Sequence, residues 1–279
     1  MNIAVVDVDG TLYQGTLGFA LLDELNSADL VSASAVHRVR NAMRQHRGAG
    51  KAFRTTLEST SDCYARAVEG VPQERILAAS HAAWQRVRHR LLDSAGPLIE
   101  ILEKGGFVPV LISGSPQEMI DRIADELGIS HRFGMRLAVD NGVCTHRFLS
   151  LPAIPEVKVG LLRELASQLN ADMTEALAIG NGASDYALLH AVGHPIAFEP
   201  DETLRCMARH GAWTVADRRT LVPQVSALVS PSRPSRRTAT APVVVAVSTV
   251  SLVSPVSTVS TVSTVSTVPS ERNLDAYSA

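Results

Sequence analysis

The sequence predicts an α/β fold, in which a parallel sheet carries helices on both faces and a helical bundle is inserted near its start. Three observations support this prediction. Short apolar runs occur at residues 2–6 and again after residue 93, where they alternate with helical segments; small polar or acidic residues follow three of these runs; and residues 16–92 show helical periodicity alone. With 279 residues, the chain is long enough for a sheet domain and a smaller second domain.

The composition excludes several classes of protein. At 46% hydrophobic and 19% charged residues it is typical of a folded globular chain, and a net charge of -2 predicts neither a nucleic-acid nor a membrane partner. Cys63, Cys144 and Cys206 are widely spaced, which argues against a disulfide framework or a zinc site. Without a leader pattern or a long apolar run, we expect a cytoplasmic location. The oligomeric state is not indicated.

The first strand carries the strongest chemical signal. Residues 2–6 form a β-branched apolar run, and Asp7-Val8-Asp9-Gly10-Thr11 follows at once. Two carboxylates this close repel each other, and their burial without a partner would cost several kcal/mol, so we expect a cation nearby. The pair suits phosphoryl transfer: Asp7 would attack phosphorus and ligate Mg²⁺, and Asp9 would protonate the leaving oxygen. Thr11 would hold phosphate oxygens, and the alternative is a plain acidic turn.

Residues 16–92 predict a cap of four helices. Apolar side chains recur there at helical spacing in four groups, which are separated by glycines and by Pro72. The segment also carries many arginines. Most of these would lie on solvated helix faces, and the alternative is that Arg47 or Arg54 faces a phosphorylated or acidic substrate.

The second buried strand, residues 107–112, ends at Ser113-Gly114-Ser115-Pro116. Ser115 fits the N-cap and Glu118 the third position of a capping box for a helix that reaches Leu127. A helix N-terminus beside a small hydroxyl residue favours anions. Ser113 and Gly114 are therefore candidate phosphate contacts, although a polar turn explains Ser113 equally well.

Three further patterns follow along the chain. Residues 132–148 read as two strands joined by the hairpin signal Asp140-Asn141-Gly142. Pro155 opens a helix with Lys158 in its first turn, where the helix dipole disfavours a cation; it is either a surface lysine or a residue that neutralises phosphate and the paired carboxylates. A third buried strand, residues 176–179, leads into residues 180–185, so three strand ends converge on one site.

These patterns divide the chain into three parts. Residues 1–15 and 93–223 form a discontinuous core with a Rossmann-like sheet, and residues 16–92 form the cap. Residues 224–279 form a tail of low complexity, rich in valine, serine and threonine, which we expect to be disordered.

The four site motifs together resemble those of the haloacid dehalogenase superfamily, and the position of the cap resembles its phosphoserine-phosphatase-like branch. The motifs are Asp7-x-Asp9-x-Thr11, Ser113 after a strand, Lys158 opening a helix, and Gly180-Asn181-Gly182-x-x-Asp185. The resemblance implies that Asp7 forms an aspartyl-phosphate and that Asp9 acts as acid and then base. The other implied roles are phosphate binding by Thr11, Ser113 and Lys158, and Mg²⁺ binding by Asp7, Asp9, Asn181 and Asp185.

Two positions depart from the family pattern. Asn181 replaces the first acid of the fourth motif, which removes one negative charge from the metal site, and Asp185 matches the second acid. Thr16 stands nine residues after Asp7, where phosphoserine phosphatases carry a glutamate for the substrate amine, so phosphoserine itself is disfavoured.

The predicted function is a Mg²⁺-dependent phosphomonoester hydrolase that acts on a small phosphorylated metabolite. Two alternatives stay open. A metal-independent dehalogenase is suggested by Asn181 and opposed by Asp9, and a catalytically weak ligand-binding protein would follow if Asn181 has cost the metal. A phosphotransferase would share every one of these residues.

Overall fold

The sheet of this computed structural model has seven strands within residues 1–45 and 53–230, which are the residues that the structure describes. In chain order they are β1 (Asn2–Val6), β2 (Phe107–Pro116), β3 (His131–Asp140), β4 (Val143–Ser150), β5 (Leu177–Gly180), β6 (His194–Phe198) and β7 (Thr214–Ala216). Their spatial order is β4-β3-β2-β1-β5-β6-β7. All neighbours are parallel except β3 and β4, which confirms the predicted α/β class.

Ten α-helices complete the described part of the chain. They are α1 (Leu17–Ser27), α2 (Ala33–Gln45), α3 (Phe53–Ala67), α4 (Gln73–Val87), α5 (Ala95–Lys104), α6 (Gln117–Leu127), α7 (Pro155–Gln168), α8 (Tyr186–His190), α9 (Glu202–His210) and α10 (Leu221–Val229). Short 3-10 turns lie at Arg88–Arg90 and Ala183–Asp185. In the described residues, none of the helices has the length and apolar character needed to span a bilayer.

β1 is buried on both faces, as its sequence predicts. Ala4 and Val6 pack into the core cluster that also contains α5, α6 and α10, whereas Ile3 and Val5 pack into the cluster with α7, α8 and α9. This alternation follows from the two-residue period of a strand. Because β1 lies between β2 and β5, the carboxyl ends of these three parallel strands meet at one edge of the sheet.

The hairpin between β3 and β4 turns where the sequence predicts it. Asn141 has φ 51° and Gly142 has φ 81°, the two left-handed residues of a primed turn. This hairpin also bonds to the loop that follows α3: the Gly70 N–H donates to the Cys144 carbonyl at 2.8 Å, and the Cys144 N–H donates to the Val71 carbonyl at 2.8 Å. The sequence analysis does not anticipate this pairing.

The predicted cap region is helical, with α1–α4 in its described residues, and α2 packs on α3 while α1 packs on α4. Met1–Arg233 forms one compact unit. The division into a core (1–15 and 93–223) and a cap (16–92) therefore stays a prediction. Arg54 is exposed and pairs with Glu58 and Glu156, which places it among the solvated arginines. Arg47 lies outside the described residues.

Two boundaries differ from the sequence analysis. The capping box at Ser115 is wrong, because β2 continues to Pro116 and α6 begins at Gln117 with no side-chain cap. The start of the tail at residue 224 is also wrong. Helix α10 continues to Val229, since Leu221 and Val225 are fully buried and the helix packs on α5. The rest of the predicted disordered tail, from residue 231, lies outside the described residues.

Candidate active site

Lys158 and Asp7 form a buried ion pair at the end of β1. The Lys158 Nζ donates to Asp7 Oδ1 at 2.8 Å and to Asp185 Oδ1 at 2.7 Å, and the side chains of all three residues are at most 9% exposed. The two carboxylates explain how a lysine is held in the first turn of α7 against the helix dipole. The surface-lysine interpretation is therefore wrong.

Asp185 is fixed from behind by the loop that follows β5. Its Oδ2 accepts the N–H of Asn181 at 3.0 Å and that of Gly182 at 3.1 Å, while Oδ1 accepts from Lys158. Asp185 is 1% exposed and does not line the cavity above Asp7. Both of its oxygens accept hydrogen bonds, so in this arrangement Asp185 holds Lys158. The structure does not place Asp185 as a direct metal ligand.

Asp9 sits at the N-terminus of α1. Its Oδ1 accepts the N–H of Leu17 at 2.9 Å, and its Oδ2 accepts a short hydrogen bond from the Ser115 hydroxyl. The Ser115 Oγ in turn accepts the N–H of Gly18 at 3.2 Å. Ser115 therefore positions Asp9, a role that the sequence analysis missed because it assigned Ser115 to a helix cap. Its place at the same strand end as Ser113 was the available signal.

Thr11 lies behind Asp7. Its hydroxyl donates to Asp7 Oδ2 at 3.2 Å, and the residue is fully buried and does not line the cavity. The predicted contact between the Thr11 side chain and phosphate therefore does not match this structure. Thr11 and Lys158 together hold the two oxygens of Asp7, whose own N–H donates to the Ile179 carbonyl of β5 at 2.9 Å.

A break in the pairing of β2 places the second motif at the cavity. The register between β2 and β3 shifts between Ile112 and Pro116, which is where Ser113, Gly114 and Ser115 lie. Bulges of this kind turn side chains out of the ladder, often beside active sites. Ser113 and Gly114 line the cavity, as their assignment as phosphate contacts requires.

Residue 10 has to be glycine for two reasons, its left-handed backbone conformation and its close contact with Asn181. Its φ is +86°, and an ideal Cβ would lie 2.0 Å from Nδ2 of Asn181. The amide of Asn181 is thus seated against the loop after β1, and Asn181 lines the cavity together with Asp7 and Asp9. Asp201, which sequence analysis also missed, supports the loop after β5: its N–H donates to the Asn181 carbonyl and its Oδ2 accepts the N–H of Ala183.

Replacement of Gly10 by alanine is expected to lower the free energy of unfolding by about 1–2 kcal/mol, because alanine pays the left-handed penalty that glycine avoids. Urea unfolding measures this. The control is Gly160→Ala, which lies exposed within α7 with no atom within 4 Å of the new Cβ. It should stabilise by up to about 1 kcal/mol, and equal effects of the two variants would contradict the strain assigned to Gly10.

Burial and crowding shift the titration of the site. Burial, followed by repulsion from Asp185, raises the pKa of Asp7 to about 7. Burial also raises the pKa of Asp9. For Lys158, burial acts to lower the pKa, but the charges of Asp185 and Asp7 outweigh it and the pKa ends above its ordinary value. When ionised, the three carboxylates exceed the one lysine by two negative charges.

This excess of negative charge would be compensated by a divalent cation, so the residues present are compatible with the predicted Mg²⁺. Within residues 1–45 and 53–230, no group of three His, Cys, Asp or Glu side chains is placed to hold a metal. A metal here would depend on the Asp7 carboxylate together with neutral oxygens, namely the Asp9 main-chain carbonyl and the Asn181 amide.

These residues surround a cavity of about 340 Å³. Of the predicted site residues, the structure brings to its wall Asp7, Asp9, Ser113, Gly114, Lys158 and Asn181. Thr11 and Asp185 lie behind this wall, each bonded to a group that lines it. The arrangement offers one buried carboxylate fixed by a cation, with a second carboxylate two residues away.

Comparison with known proteins identifies the family. Residues 4–190 match the family model of the haloacid dehalogenase-like hydrolases. The chain belongs to this family. The resemblance stated from the four motifs is therefore confirmed, and the hydrolase match covers β1, the helical segment and the strand ends that build the site.

A curated relative and two solved structures are similar to this chain. A phosphoserine phosphatase of Archaeoglobus fulgidus is 27% identical over 207 residues, which are 74% of this chain and 55% of that protein. A Bordetella pertussis Tohama I protein of unknown function has a TM-score of 0.68 at 19% identity, covering 78% of this chain and 98% of that one. A phospho-aspartyl intermediate analogue of phosphoserine phosphatase has a TM-score of 0.58 at 19% identity, with coverage of 80% and 98%. These two structures share its fold.

The chain spans about half the length of the first curated relatives that it matches, between 46% and 55%.

Proposed function

We propose that this hydrolase is a phosphatase, which cleaves a small phosphomonoester in a Mg²⁺-dependent reaction through an aspartyl-phosphate. The observation that carries the proposal is Asp7: it is buried on the floor of the cavity, with Lys158 at 2.8 Å from one oxygen and Thr11 at 3.2 Å from the other. These two contacts hold the Asp7 carboxylate in one orientation, as a nucleophile that attacks phosphorus requires. The phosphoserine phosphatases among its relatives support the same reaction class.

In the first step, an oxygen of Asp7 would attack phosphorus while the bond to the ester oxygen breaks. Asp9 would give its proton to the leaving alcohol, since its raised pKa allows it to hold one. Lys158, Ser113 and the Gly114 N–H would stabilise the negative charge on the transferring group. The products of this step are a free alcohol and a phosphorylated Asp7.

In the second step, Asp9 would accept a proton from water as that water attacks the phosphorylated Asp7. Inorganic phosphate leaves, and both carboxylates return to their starting states. Asp7, the Asp9 carbonyl and Asn181 would hold Mg²⁺, which when bound neutralises charge on the phosphoryl group. Asp185 would act on that site through Lys158. The proposed setting is cytoplasmic.

The direct test is hydrolysis of 4-nitrophenyl phosphate by the full chain, with Mg²⁺ and with a chelator. We expect turnover that requires the metal. Release of halide from a 2-haloacid without metal would instead favour the dehalogenase alternative, for which Asn181 is the supporting residue. Absence of both Mg²⁺ binding and ester turnover would favour the ligand-binding alternative, in which Asn181 has cost the metal.

Replacement of Asn181 by aspartate is expected to tighten Mg²⁺ binding about tenfold, because it adds a negative charge next to the loop after β1. Calorimetric titration with Mg²⁺ measures this independently of activity. Asn181→Ala serves as the control and should weaken binding. Equal Mg²⁺ affinity in all three proteins would show that residue 181 is not a ligand.

A further inference from the structure

The cavity above Asp7 has two chemically different halves. Its floor carries the charged groups described above, namely Asp7, Asp9, Lys158 and Asp201. The opposite wall, which we call the cap wall, comes from α1, α2 and α3. Its apolar side chains are those of Phe19, Val39, Met43, Leu57 and Tyr64. The other lining positions from residues 16–67 are a glycine and residues with hydroxyl groups. A ligand that fills the cavity therefore meets charge at one end and apolar surface at the other.

The described residues of the cap wall contain no charged side chain. Two arginines on these helices pair with carboxylates: the Arg40 guanidinium bonds both oxygens of Asp23 at 2.7 Å while stacking on the Phe19 ring, and Arg54 pairs with Glu58 and Glu156. The hydroxyl of Thr60, on the same wall, is buried without a hydrogen-bond partner, so it offers a ligand a hydrogen bond but no charge. A charged group at this end of a ligand would lose its water without gaining a counter-ion from these residues.

We propose that the substrate is a small phosphomonoester whose alcohol is uncharged and largely apolar. This rests on the proposed phosphatase function, which assigns the phosphate to the charged floor. The cavity volume of about 340 Å³ lies at the low end for small-molecule sites, which favours an alcohol of a few carbon atoms. A phosphorylated amino acid would fit this cavity poorly, because its ammonium and carboxylate groups would both face the apolar wall.

The first arm of the test compares esters under conditions where the wild-type chain hydrolyses 4-nitrophenyl phosphate. The esters are ethyl, propyl and butyl phosphate, 2-aminoethyl phosphate, 2-carboxyethyl phosphate and O-phosphoserine. We expect kcat/KM to rise about fourfold with each added methylene until the cavity is full. The three charged esters should fall about a hundredfold below butyl phosphate.

The second arm does not depend on turnover. Butylphosphonate and 3-aminopropylphosphonate have the same number of non-hydrogen atoms and differ in one charge. Calorimetry with the wild-type protein should show butylphosphonate binding at least about tenfold more tightly. If 4-nitrophenyl phosphate is not cleaved, the proposed function fails, and this binding comparison still decides the chemistry of the cap wall.

A pair of variants locates the effect. Met43 is partly buried on the wall, and Met43→Glu adds a charge that Met43→Gln does not. We expect the Glu variant to bind butylphosphonate about tenfold more weakly than the Gln variant and to favour the aminopropyl compound. If the wild-type protein still cleaves the aryl phosphate but prefers any charged ester or phosphonate, the proposal of an uncharged alcohol is overturned and the phosphatase function is not. Identical behaviour of the two variants would also overturn that proposal.

Discussion

Asp7→Asn is expected to reduce kcat for aryl phosphate hydrolysis by about 10³-fold or more. An amide oxygen is a poor nucleophile toward phosphorus, and no other group on the cavity floor is held as Asp7 is, between Lys158 and the hydroxyl of Thr11. The substitution preserves shape, so the cavity should still bind phosphate. The measurement is the steady-state rate at saturating Mg²⁺.

The control for this variant is Asp140→Asn. Asp140 has a side chain that is 60% exposed and only a long ion pair with Arg147, so its loss should leave kcat within a factor of two of wild type, on the order of effects seen at solvated sites. A brief reaction followed by acid quenching and mass spectrometry should find phosphate on the peptide that contains Asp7. Turnover of the Asp7 variant above a tenth of wild type would remove the covalent mechanism.

The parts of the site that the sequence could predict are those fixed by strand ends. Asp7 and Ser113 directly follow an apolar run, Asn181 lies one residue beyond another, and parallel strands bring such ends together whatever the details of packing. Lys158 was a candidate for a different reason, because a cation in the first turn of a helix is unfavourable unless an anion faces it, but the sequence left a surface lysine equally open. Apolar runs that end in small or acidic residues were therefore enough to place Asp7, Ser113 and Asn181.

The hydrogen bonds that Ser115 and Thr11 make to the two aspartates were not predictable in this way. Whether Ser115 caps a helix or bonds Asp9 depends on how far β2 continues, and the break in its register with β3 is set by contacts between distant segments. Thr11 turns its hydroxyl to Asp7 because the turn after β1 closes on the Val8 carbonyl. Sequence spacing places a residue at the site, and packing decides which neighbour its side chain contacts.

The end of α10 and the attachment of the helical segment also depend on contacts between distant parts of the chain. Val225 extends α10 past the predicted boundary because α5 offers it an apolar surface, which the local composition of valine and serine does not reveal. The pairing of the loop after α3 with the β3–β4 hairpin joins residues about 70 positions apart. Such long-range contacts hold the helical segment over the sheet and were absent from the sequence analysis.

Lys158→Met is expected to lower the free energy of unfolding by about 3–5 kcal/mol in the absence of metal. It keeps the apolar stem but leaves Asp7 and Asp185 buried without their cation. Urea unfolding in chelator measures the loss. The matched control is Lys104→Met, whose lysine is 71% exposed and pairs with Glu100 on the surface; it should change stability by at most about 0.5 kcal/mol.

The double variant Lys158→Met with Asp185→Asn gives the decisive comparison. If the cost of losing Lys158 comes from uncompensated charge, removal of the Asp185 charge should restore about 1–3 kcal/mol, so the two changes together should cost less than their sum. Mg²⁺ should likewise restore stability to the single variant, because it supplies positive charge at the Asp7 carboxylate. Additive losses, or a Lys158 variant as stable as the Lys104 control, would show that the buried ion pair does not hold the site together.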